Sequence, residues 1–489
     1  MAPPEKEHPS RSLIWALVES GGLSLLSLAV LLVVARLAGP GDLGAFAIAL
    51  GIVQILTMIV ENLVHDAIIQ RAELTPDHLH TAFWTCLGLG VVLSAGCWLA
   101  APHVGEMFAS PQVGELLSIA GLSLVFSGAG CVPIAVLRRA VMFRPIAIRS
   151  LGGRLCGALV AIVMAATHFG VWSLVAQYVV QTMVCTILVW PSTPWRPAFA
   201  FSPAKLRELV AFGSLSVGTR LIWMAGGKMF TLLLGNLLGV TAVGYLNIAQ
   251  RLVDTLFDLL AGAAHNLALP IFSRRQGDRA SLVRAYVQAT EFTALAVTPL
   301  YGGLALCAGP IIAVLLGEAW LPATPLVWVL ASGAMMQFLF LFGPTTLTAV
   351  GRPGIVLVFS LWTLSFVLAV FFLVRPDDVV EAAAIWAGRI FIGAPLLHFT
   401  ICRILNASPL ILVKAVWVPV TATLAMAVTL LLVETYGLAN ATALVKLVTM
   451  IPLGALVYGA VVVLAGRRSV LRLWDFGLAA VRGRPKEQT

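Results

Sequence analysis

The sequence predicts an all-α polytopic membrane protein of about fourteen transmembrane helices, arranged as two six-helix lobes followed by two further helices. Three observations lead there. Of the 489 residues, 60% are hydrophobic and only 11% are charged, with a mean hydropathy of +0.97, a composition foreign to water-soluble domains. Apolar runs of about 20 residues, the length that crosses a bilayer, recur from Leu13 to Ala465 between short Gly, Pro and Arg clusters. A segment near the start of the chain also recurs 200 residues later.

The chain opens on a polar tail, 1–12, that carries both charge signs. The span after it is long and has no obvious cleavage site, so it is expected to be retained. The first lobe takes in 13–191, with spans at 13–36, 44–69, 81–101, 114–137, 147–167 and 171–191. A polar connection at 192–208 leads to the second lobe, 209–402, with spans at 209–234, 243–270, 287–312, 323–348, 354–374 and 381–402. Two more spans, 413–434 and 443–465, precede a basic tail, 466–489, which reads either as an amphipathic segment on anionic lipid or as a disordered tail. The seven cysteines (86, 97, 131, 156, 185, 307 and 402) fall in or at the ends of spans, with no CxxC and no histidine read nearby. They are expected to be small core residues rather than metal ligands or disulfides.

The net charge of +9 could point to nucleic acid, but its distribution points elsewhere. Most of the 31 Lys and Arg residues fall in alternate connections and in the two tails, among them the groups Arg138, Arg139, Arg144, Arg149 and Arg274, Arg275, Arg279, Arg284. Only Arg36 and Arg375 flank the other side. By the positive-inside rule both termini are cytoplasmic, which requires an even number of spans. No nucleic-acid partner is expected.

The repeat lays ARLAGPGDLGAFAIA, from Ala35, on GNLLGVTAVGYLNIA, from Gly235, with five of fifteen positions identical: Leu37/Leu237, Gly39/Gly239, Gly44/Gly244, Ile48/Ile248 and Ala49/Ala249. Each copy closes the hairpin that opens a half, and parallel repeats of this kind are a transporter architecture with substrate handled where the halves meet.

Ionisable groups inside spans are costly and normally face a partner or a watery cavity. In 248–272, Arg251, Asp254, Asp258 and His265 fall within an arc of roughly 60° on a helix, a polar stripe on an apolar cylinder. If spans seven and eight turn back near residue 239, Arg220 lies at the depth of Asp258 and Lys228 at that of Arg251. Arg220 with Asp258, and Arg251 with Asp254, could then pair, while Lys228 shows no evident partner. The surplus of positive charge suits an anion such as pyrophosphate passing through a cationic cleft; the alternative is a set of buried structural ion pairs. A first hairpin turning near residue 40 sets Glu19 opposite Glu61, with Arg154 as third member. Two carboxylates at one depth call for a shared proton or cation, a candidate site for a coupling ion, proton or sodium. The competing reading is an ordinary Glu61 to Arg154 salt bridge with Glu19 facing the cytoplasm. His65 and Asp66 are expected to be solvated at the cytoplasmic boundary, and Glu291 and Lys446 to snorkel from helix ends. Arg389 lies eight residues into its span without a visible partner.

The connections then suggest a family. ARLAGPGDLGAFAIA, AIIQR, FRPIAIRSLGGRLCGALVAIVMAATHFGVWSLVAQYVV, PWRPAFAFSPAKLRELVAFG, NIAQRLVD, LLGEAWLPATPL and LTAVGRPG, taken in order from about Arg11 to Arg403, resemble the polysaccharide-transporter branch (Wzx-like, colanic-acid-exporter-like) of the multidrug/oligosaccharidyl-lipid/polysaccharide (MOP) flippase superfamily. The resemblance implies a two-lobed flippase of the bacterial inner membrane that is not an enzyme. It would move undecaprenyl-pyrophosphate-linked oligosaccharide from the cytoplasmic to the periplasmic leaflet by alternating access. The partners implied are that lipid-linked oligosaccharide, the membrane lipids, and a polysaccharide polymerase with its export machinery. Carried over by position, Glu61 stands where relatives often have an acid, and Arg220 and Arg251 match basic positions of the central cleft. Phe230 stands where relatives commonly carry Asp, so a coupling role would have to pass to Asp254 or Asp258.

Two other classes stay open. An ion-coupled antiporter of small cationic drugs on the same fold would favour a cleft of net negative charge, against the basic surplus here. A membrane-embedded glycosyltransferase or polymerase generally needs catalytic acids or bases in sizeable periplasmic loops, and the loops on that side are short and poor in charge. No phosphate-binding glycine loop, ATP module or metal cluster is read, and no cofactor is expected beyond the candidate ion.

Overall fold

The computed structural model describes residues 28–71, 73–273 and 278–466, and the side chains of all of these except 143, 211–225, 261–273 and 353. The described residues are overwhelmingly helical, and no strand occurs among them. Among the described residues eleven helices are long and apolar enough to cross a membrane, and a twelfth span results if Arg279–Leu306 and Ala308–Leu315, bent by 66°, count as one. Three spans of the fourteen account for the difference. Most of span 13–36 lies outside the described residues, which enter it at Leu28. Spans 209–234 and 243–270 fall on one helical run, Pro203–Ser273, interrupted at Gly239. Span 287–312 is the bent pair. The other spans appear where hydropathy places them, the best matched being 354–374 and 443–465.

The described residues form two compact units, 28–248 with Asp377–Val379, and Ala249–Pro376 with 380–466. The amino-terminal unit contains α1 (Leu28–Leu37), α2 (Pro40–Gln70), α3 (Pro76–Met107), α4 (Pro111–Ala120), α5 (Ser123–Arg139), α6 (Phe143–Ala166), α7 (Trp172–Val189) and the first part of α8 (Pro203–Ser273). Helices α2, α3 and α4 each begin with proline after Gly39, Thr75 or Ser110. Proline suits a first turn, where its missing N–H would have no intrahelical partner. Val60, Val64, Ile68, Phe83, Cys86, Cys131, Val132 and Leu209 form a core that ties α2, α3, α5 and α8.

With no hydrophobic drive between helices in lipid, close packing relies on small residues. A Cβ on Gly153 of α6 would stand 2.3 Å from Cys185 Sγ and 2.9 Å from Gln181 O, and one on Gly157 would stand 2.8 Å from Gln177 O. These two glycines, one turn apart, let α6 lie directly on α7. Gly153→Leu is therefore expected to push the two helices apart and cost about 1–3 kcal/mol, read as a lower thermal midpoint in detergent; an unchanged midpoint contradicts the packing.

The connection 192–208 is docked onto this unit. Trp84 Nε1 donates to Ala198 O (2.8 Å), Ala198 N to His80 Nδ1 (3.0 Å) and Ser202 N to Thr81 Oγ1 (3.1 Å), while Phe199 stacks on Trp84 at 4.9 Å. Glu208, on the first turns of α8, then gathers His78 (Nε2 at 3.2 Å), Lys205 (Nζ at 3.2 Å) and Arg71. These ties explain why the start of α8 belongs to the amino-terminal unit. The hydrogen bonds from His78, Lys205 and Arg71 hold the Glu208 carboxyl down at about 2, from an ordinary 4.5. Its stabilisation is thus fully present above pH 4.5 and is lost as the pH falls from there towards 2. Glu208→Gln is expected to lower the thermal midpoint at neutral pH, and the gap to the wild type should close by about pH 2 and narrow in high salt. A gap that is the same at both ends of that range contradicts the assignment.

The carboxyl-terminal unit contains the rest of α8, then α9 (Arg279–Leu306), α10 (Ala308–Leu315), a short 3-10 turn (Glu318–Ala323), α11 (Thr324–Leu339), α12 (Gly343–Ala349), α13 (Pro353–Val374), α14 (Val379–Leu405), α15 (Ile411–Leu432) and α16 (Ala443–Ala465). Trp320, Tyr286, Tyr301 and Phe338 are its largest fully buried side chains. Helices α15 and α16 pack on α9 and α10 through Leu295, Cys307, Val418, Met426, Leu430 and Met450. By contrast α13 exposes Val358, Phe372 and Leu373, an apolar exterior that suits lipid rather than water.

The two copies of the repeat meet inside the amino-terminal unit. A Cβ on Gly44 would stand 1.7 Å from Val240 O and 2.9 Å from Gly244 N, and one on Gly244 would stand 1.9 Å from Pro40 O and 3.2 Å from Gly44 N. Each copy thus offers the same glycine to the same backbone position of the other, a reciprocal contact like that across a two-fold axis. The matched Gly39 and Gly239 both sit at helix breaks, and Gly239 has φ 83°, a conformation open to glycine.

Candidate functional site

The expected site residues distribute over both units. Glu19 lies outside the described residues, and the side chains of Arg220 and His265 lie outside the described side chains. Neither the Glu19 to Glu61 pair nor the Arg220 to Asp258 pair therefore has a described geometry.

In the amino-terminal unit, Gln54, Thr57 and Glu61 follow one another along one face of α2 and are half-buried. Half-buried polar groups at mid-span face water or polar partners rather than lipid. Opposite them α5 contributes Ser127, which is within hydrogen-bonding reach of the Glu61 carboxyl. From α7, Tyr178 reaches Thr57 of α2 and Ser123 of α5. The cations acting on Glu61 are Arg149 first and Arg138 second. Arg154, the cation expected there, is not among the charges that act on Glu61; with Arg149 it acts on the Cys185 thiol, which donates to the Arg149 backbone carbonyl at 3.4 Å. Hairpin depth fixes height along the membrane but not direction around a helix, and that direction brings Arg149 to Glu61. The sequence groups Arg149 with the cytoplasmic arginines. It belongs to the polar face, and the signal available in the sequence was its place on the same short helical stretch as Arg154.

Several other expectations are corrected. His65 and Asp66 are buried, at 7% and 6% exposure, because α5 covers them with Arg138, whose Nη1 lies 3.1 Å from His65 Nε2. Glu291 is buried rather than snorkelling, whereas Lys446 pairs with Glu434 at 3.3 Å. Cys156 is exposed, unlike the other six cysteines. Cys402 does have a histidine nearby: His398, one turn earlier, lies 3.4 Å away through Nε2. Nε2 also contacts Pro409 O at 2.9 Å, and Tyr286 OH lies 3.3 Å from Nδ1, so this is a buried hydrogen-bonded histidine.

In the carboxyl-terminal unit, Arg251 is half-buried and Asp254 and Asp258 are exposed along the expected stripe of α8. Among the described ion pairs none joins Arg251 to Asp254. Both aspartates act on Tyr301, whose hydroxyl donates to Val253 O at 3.2 Å. Arg389 has a partner that a search for charges could not find. Its guanidinium lies 3.5 Å from the ring centroid of Trp386, three residues earlier, and Nη1 donates to Trp386 O at 2.9 Å. Asp254 supplies the opposite charge that acts on it. Phe230 is buried, at 1% exposure.

The described residues hold no group of three or more His, Cys, Asp or Glu that could bind a metal ion. The chemistry on view is that of hydrogen bonds and charge: amides, hydroxyls and guanidinium groups on spans, with few carboxylates.

Comparison with known proteins agrees with the fold. A family model described as "Polysaccharide biosynthesis protein" matches residues 33–325. The succinoglycan biosynthesis transport protein ExoT of Rhizobium meliloti (strain 1021) is 24% identical over 475 residues, 96% of each chain. Among solved structures, the lipid II flippase MurJ in an inward closed conformation superposes with a TM-score of 0.73 at 15% identity, covering 94% of this chain and all of that one. An inward-facing multidrug-resistance MATE family transporter of the MOP superfamily gives a TM-score of 0.62 at 14% identity over 78% of this chain and 94% of that one.

Proposed function

The chain belongs to the polysaccharide biosynthesis family, and from that membership we propose that it is a flippase for lipid-linked oligosaccharide in the polysaccharide-transporter branch of the MOP superfamily, whose fold it shares with a MATE family transporter. In this reading it carries undecaprenyl-pyrophosphate-linked repeat units from the cytoplasmic to the periplasmic leaflet of a bacterial inner membrane, with both termini cytoplasmic. The observation that carries the reading is the family match over 33–325, extended by a transport protein of succinoglycan biosynthesis that aligns over 96% of the chain. The lipid II flippase with the same fold supports it.

Physics explains why such a carrier is needed. An isolated charge moved into an apolar medium costs tens of kcal/mol in the Born limit, so a sugar diphosphate does not cross hydrocarbon unaided. A polar path on spans removes that barrier, while the polyprenyl tail stays in lipid. Cationic side chains such as Lys228, Arg251, Arg154 and Arg220 hold the diphosphate by charge-assisted hydrogen bonds. They must release it on the far side, so access alternates between two conformations whose balance the ligand shifts. Glu61, Asp254, Asp258 and Glu19 are the groups available to a coupling proton or sodium ion. The product would pass to a polymerase and export machinery.

The test is a strain deleted for the gene, assayed for surface polysaccharide and for lipid-linked repeat units held in the cytoplasmic leaflet. The expected result is loss of the polymer with accumulation of those units, reversed by the wild-type gene. Unchanged polysaccharide after deletion defeats the reading and returns the drug antiporter, which shares the fold, to first place.

A further inference from the structure

The segment 191–207, PSTPWRPAFAFSPAKLR, runs from just after α7 into α8 and contains no acidic residue. Its cations are Arg196, Lys205 and Arg207, and prolines stand at 191, 194, 197 and 203. The bonds from Ala198 N to His80, from Ser202 N to Thr81 and from Trp84 Nε1 to Ala198 O lay it along the first turns of α3. Trp84 is eight residues, about 12 Å, into that helix, and hydropathy starts the apolar span at residue 81. The segment therefore lies where the hydrocarbon begins, at the end of α3 that the positive-inside rule makes cytoplasmic. Irregular backbone beside lipid needs its polar groups answered. Each proline removes a donor, and His80, Thr81 and Trp84 answer two N–H groups and a carbonyl, leaving the rest to the wet headgroup layer. The apolar side chains face away from the protein. Phe199, stacked by one face on Trp84, is 96% exposed, and Phe201 is 56% exposed. Two neighbouring phenylalanines so bare, with cations beside them, suit the boundary between headgroups and acyl chains rather than water. The cations can turn outward as well. Arg196 is exposed, its guanidinium 5.9 Å from the Trp190 ring centroid and its Nη1 donating to Trp195 O at 2.9 Å, which leaves Nε and Nη2 for another acceptor. Arg207 is exposed and enters none of the described ion pairs, whereas Lys205 is taken by Glu208.

We propose that 191–207 is a membrane-surface strap, in which Phe199 and Phe201 enter the hydrocarbon edge of the cytoplasmic leaflet while Arg196 and Arg207 bind the headgroup phosphates of anionic phospholipid. The two halves of the contact support each other. Insertion of the rings holds the guanidinium groups at the level of the phosphates, which their planar forks match, and the negative surface of an anionic leaflet draws the strap down. Glu208, the nearest acid in sequence, is already held by His78, Lys205 and Arg71, so it does not cancel the two arginines. Because the strap leads directly into α8, lipid bound here fixes where that helix leaves the leaflet. The inference needs only that the chain crosses a membrane, so it stands apart from the flippase reading.

The test uses the purified full-length protein in nanodiscs of phosphatidylcholine, with or without phosphatidylglycerol. Cys156 is exposed and the other six cysteines are buried, so in a Cys156→Ala background a cysteine placed at the surface takes a bimane label selectively. In Phe199→Cys the label is expected to be quenched strongly by nitroxide-bearing lipid and weakly by aqueous iodide. The label in Glu73→Cys, at an exposed position of the α2–α3 connection, should show the opposite. Iodide quenching at 199 as strong as at 73 puts the strap in water, as a surface kept for a soluble protein would be, and overturns the proposal. A second arm reads charge. Phosphatidylglycerol is expected to raise the thermal midpoint of the wild type by several degrees, less so in high salt, and inorganic phosphate is expected not to substitute for it. The Arg196→Gln, Arg207→Gln variant should lose most of that gain. An equal gain in variant and wild type, or no gain in the wild type, overturns the proposal. If the double variant does not accumulate, Arg207→Gln alone, at an exposed residue outside every described ion pair, is read in the same way.

Discussion

Valine in place of Gly44, or of Gly244, is expected to abolish polysaccharide export and to lower the thermal midpoint of the purified protein. At either position the first added carbon meets a carbonyl oxygen, at 1.7 Å from Val240 or 1.9 Å from Pro40. These are backbone atoms, which cannot rotate aside as a side chain would. Restoring an ordinary carbon–oxygen contact means moving the two segments apart by about 1.5 Å. Overpacking a well-packed interior typically costs about 1–3 kcal/mol, and a backbone-to-backbone clash belongs at or above the upper end. Gly41→Ala is the control, since its Cβ would make an ordinary contact with Thr241 Oγ1 at 3.5 Å, and it should leave both readouts unchanged. Normal export by either valine variant shows that the segments do not cross at these glycines.

The second large effect concerns charge. Replacing Lys228 and Arg251 together with alanine, at equal membrane abundance, is expected to reduce repeat-unit export by two orders of magnitude or more. Hydrogen bonds to charged groups are worth about 1.5–3 kcal/mol each, and each 1.36 kcal/mol is about a factor of ten in rate. Lys228 and Arg251 are both half-buried on α8, one in each compact unit. The charge-keeping pair Lys228→Arg, Arg251→Lys should retain most of the activity. Equal export by the alanine double variant and the wild type removes these residues from the path of the headgroup.

Much of the fold was legible because a bilayer imposes a length and a composition that hydropathy reads directly. Spans such as 354–374 and 443–465 needed nothing else. The internal repeat was legible for a related reason: Gly44 and Gly244 are matched because the same backbone approach occurs twice. What hydropathy could not give was direction around each helix. Glu61 was matched with Arg154 by depth, whereas azimuth brings it Arg149 and Ser127. Charge bias groups Arg149 with the cytoplasmic arginines because it treats a basic cluster as one loop. Arg389 shows no partner in the sequence because its nearest one is the face of Trp386, which a search for opposite charges does not register, and the acid that acts on it, Asp254, is on a different helix, α8. In the sequence His65 and Asp66 read as solvated, since the α5 contact that covers His65 exists only in three dimensions.

The most direct measurement of the central claim is flipping itself. The purified protein would be reconstituted into liposomes that carry a fluorescent polyprenyl-diphosphate oligosaccharide, with a membrane-impermeant glycosidase added outside. The account predicts that the enzyme cleaves essentially all of the sugar in liposomes containing the protein, about half in protein-free ones, and about half with the Lys228→Ala, Arg251→Ala variant. Cleavage that stops at about half in the presence of the wild-type protein, under every ion gradient applied, would contradict it.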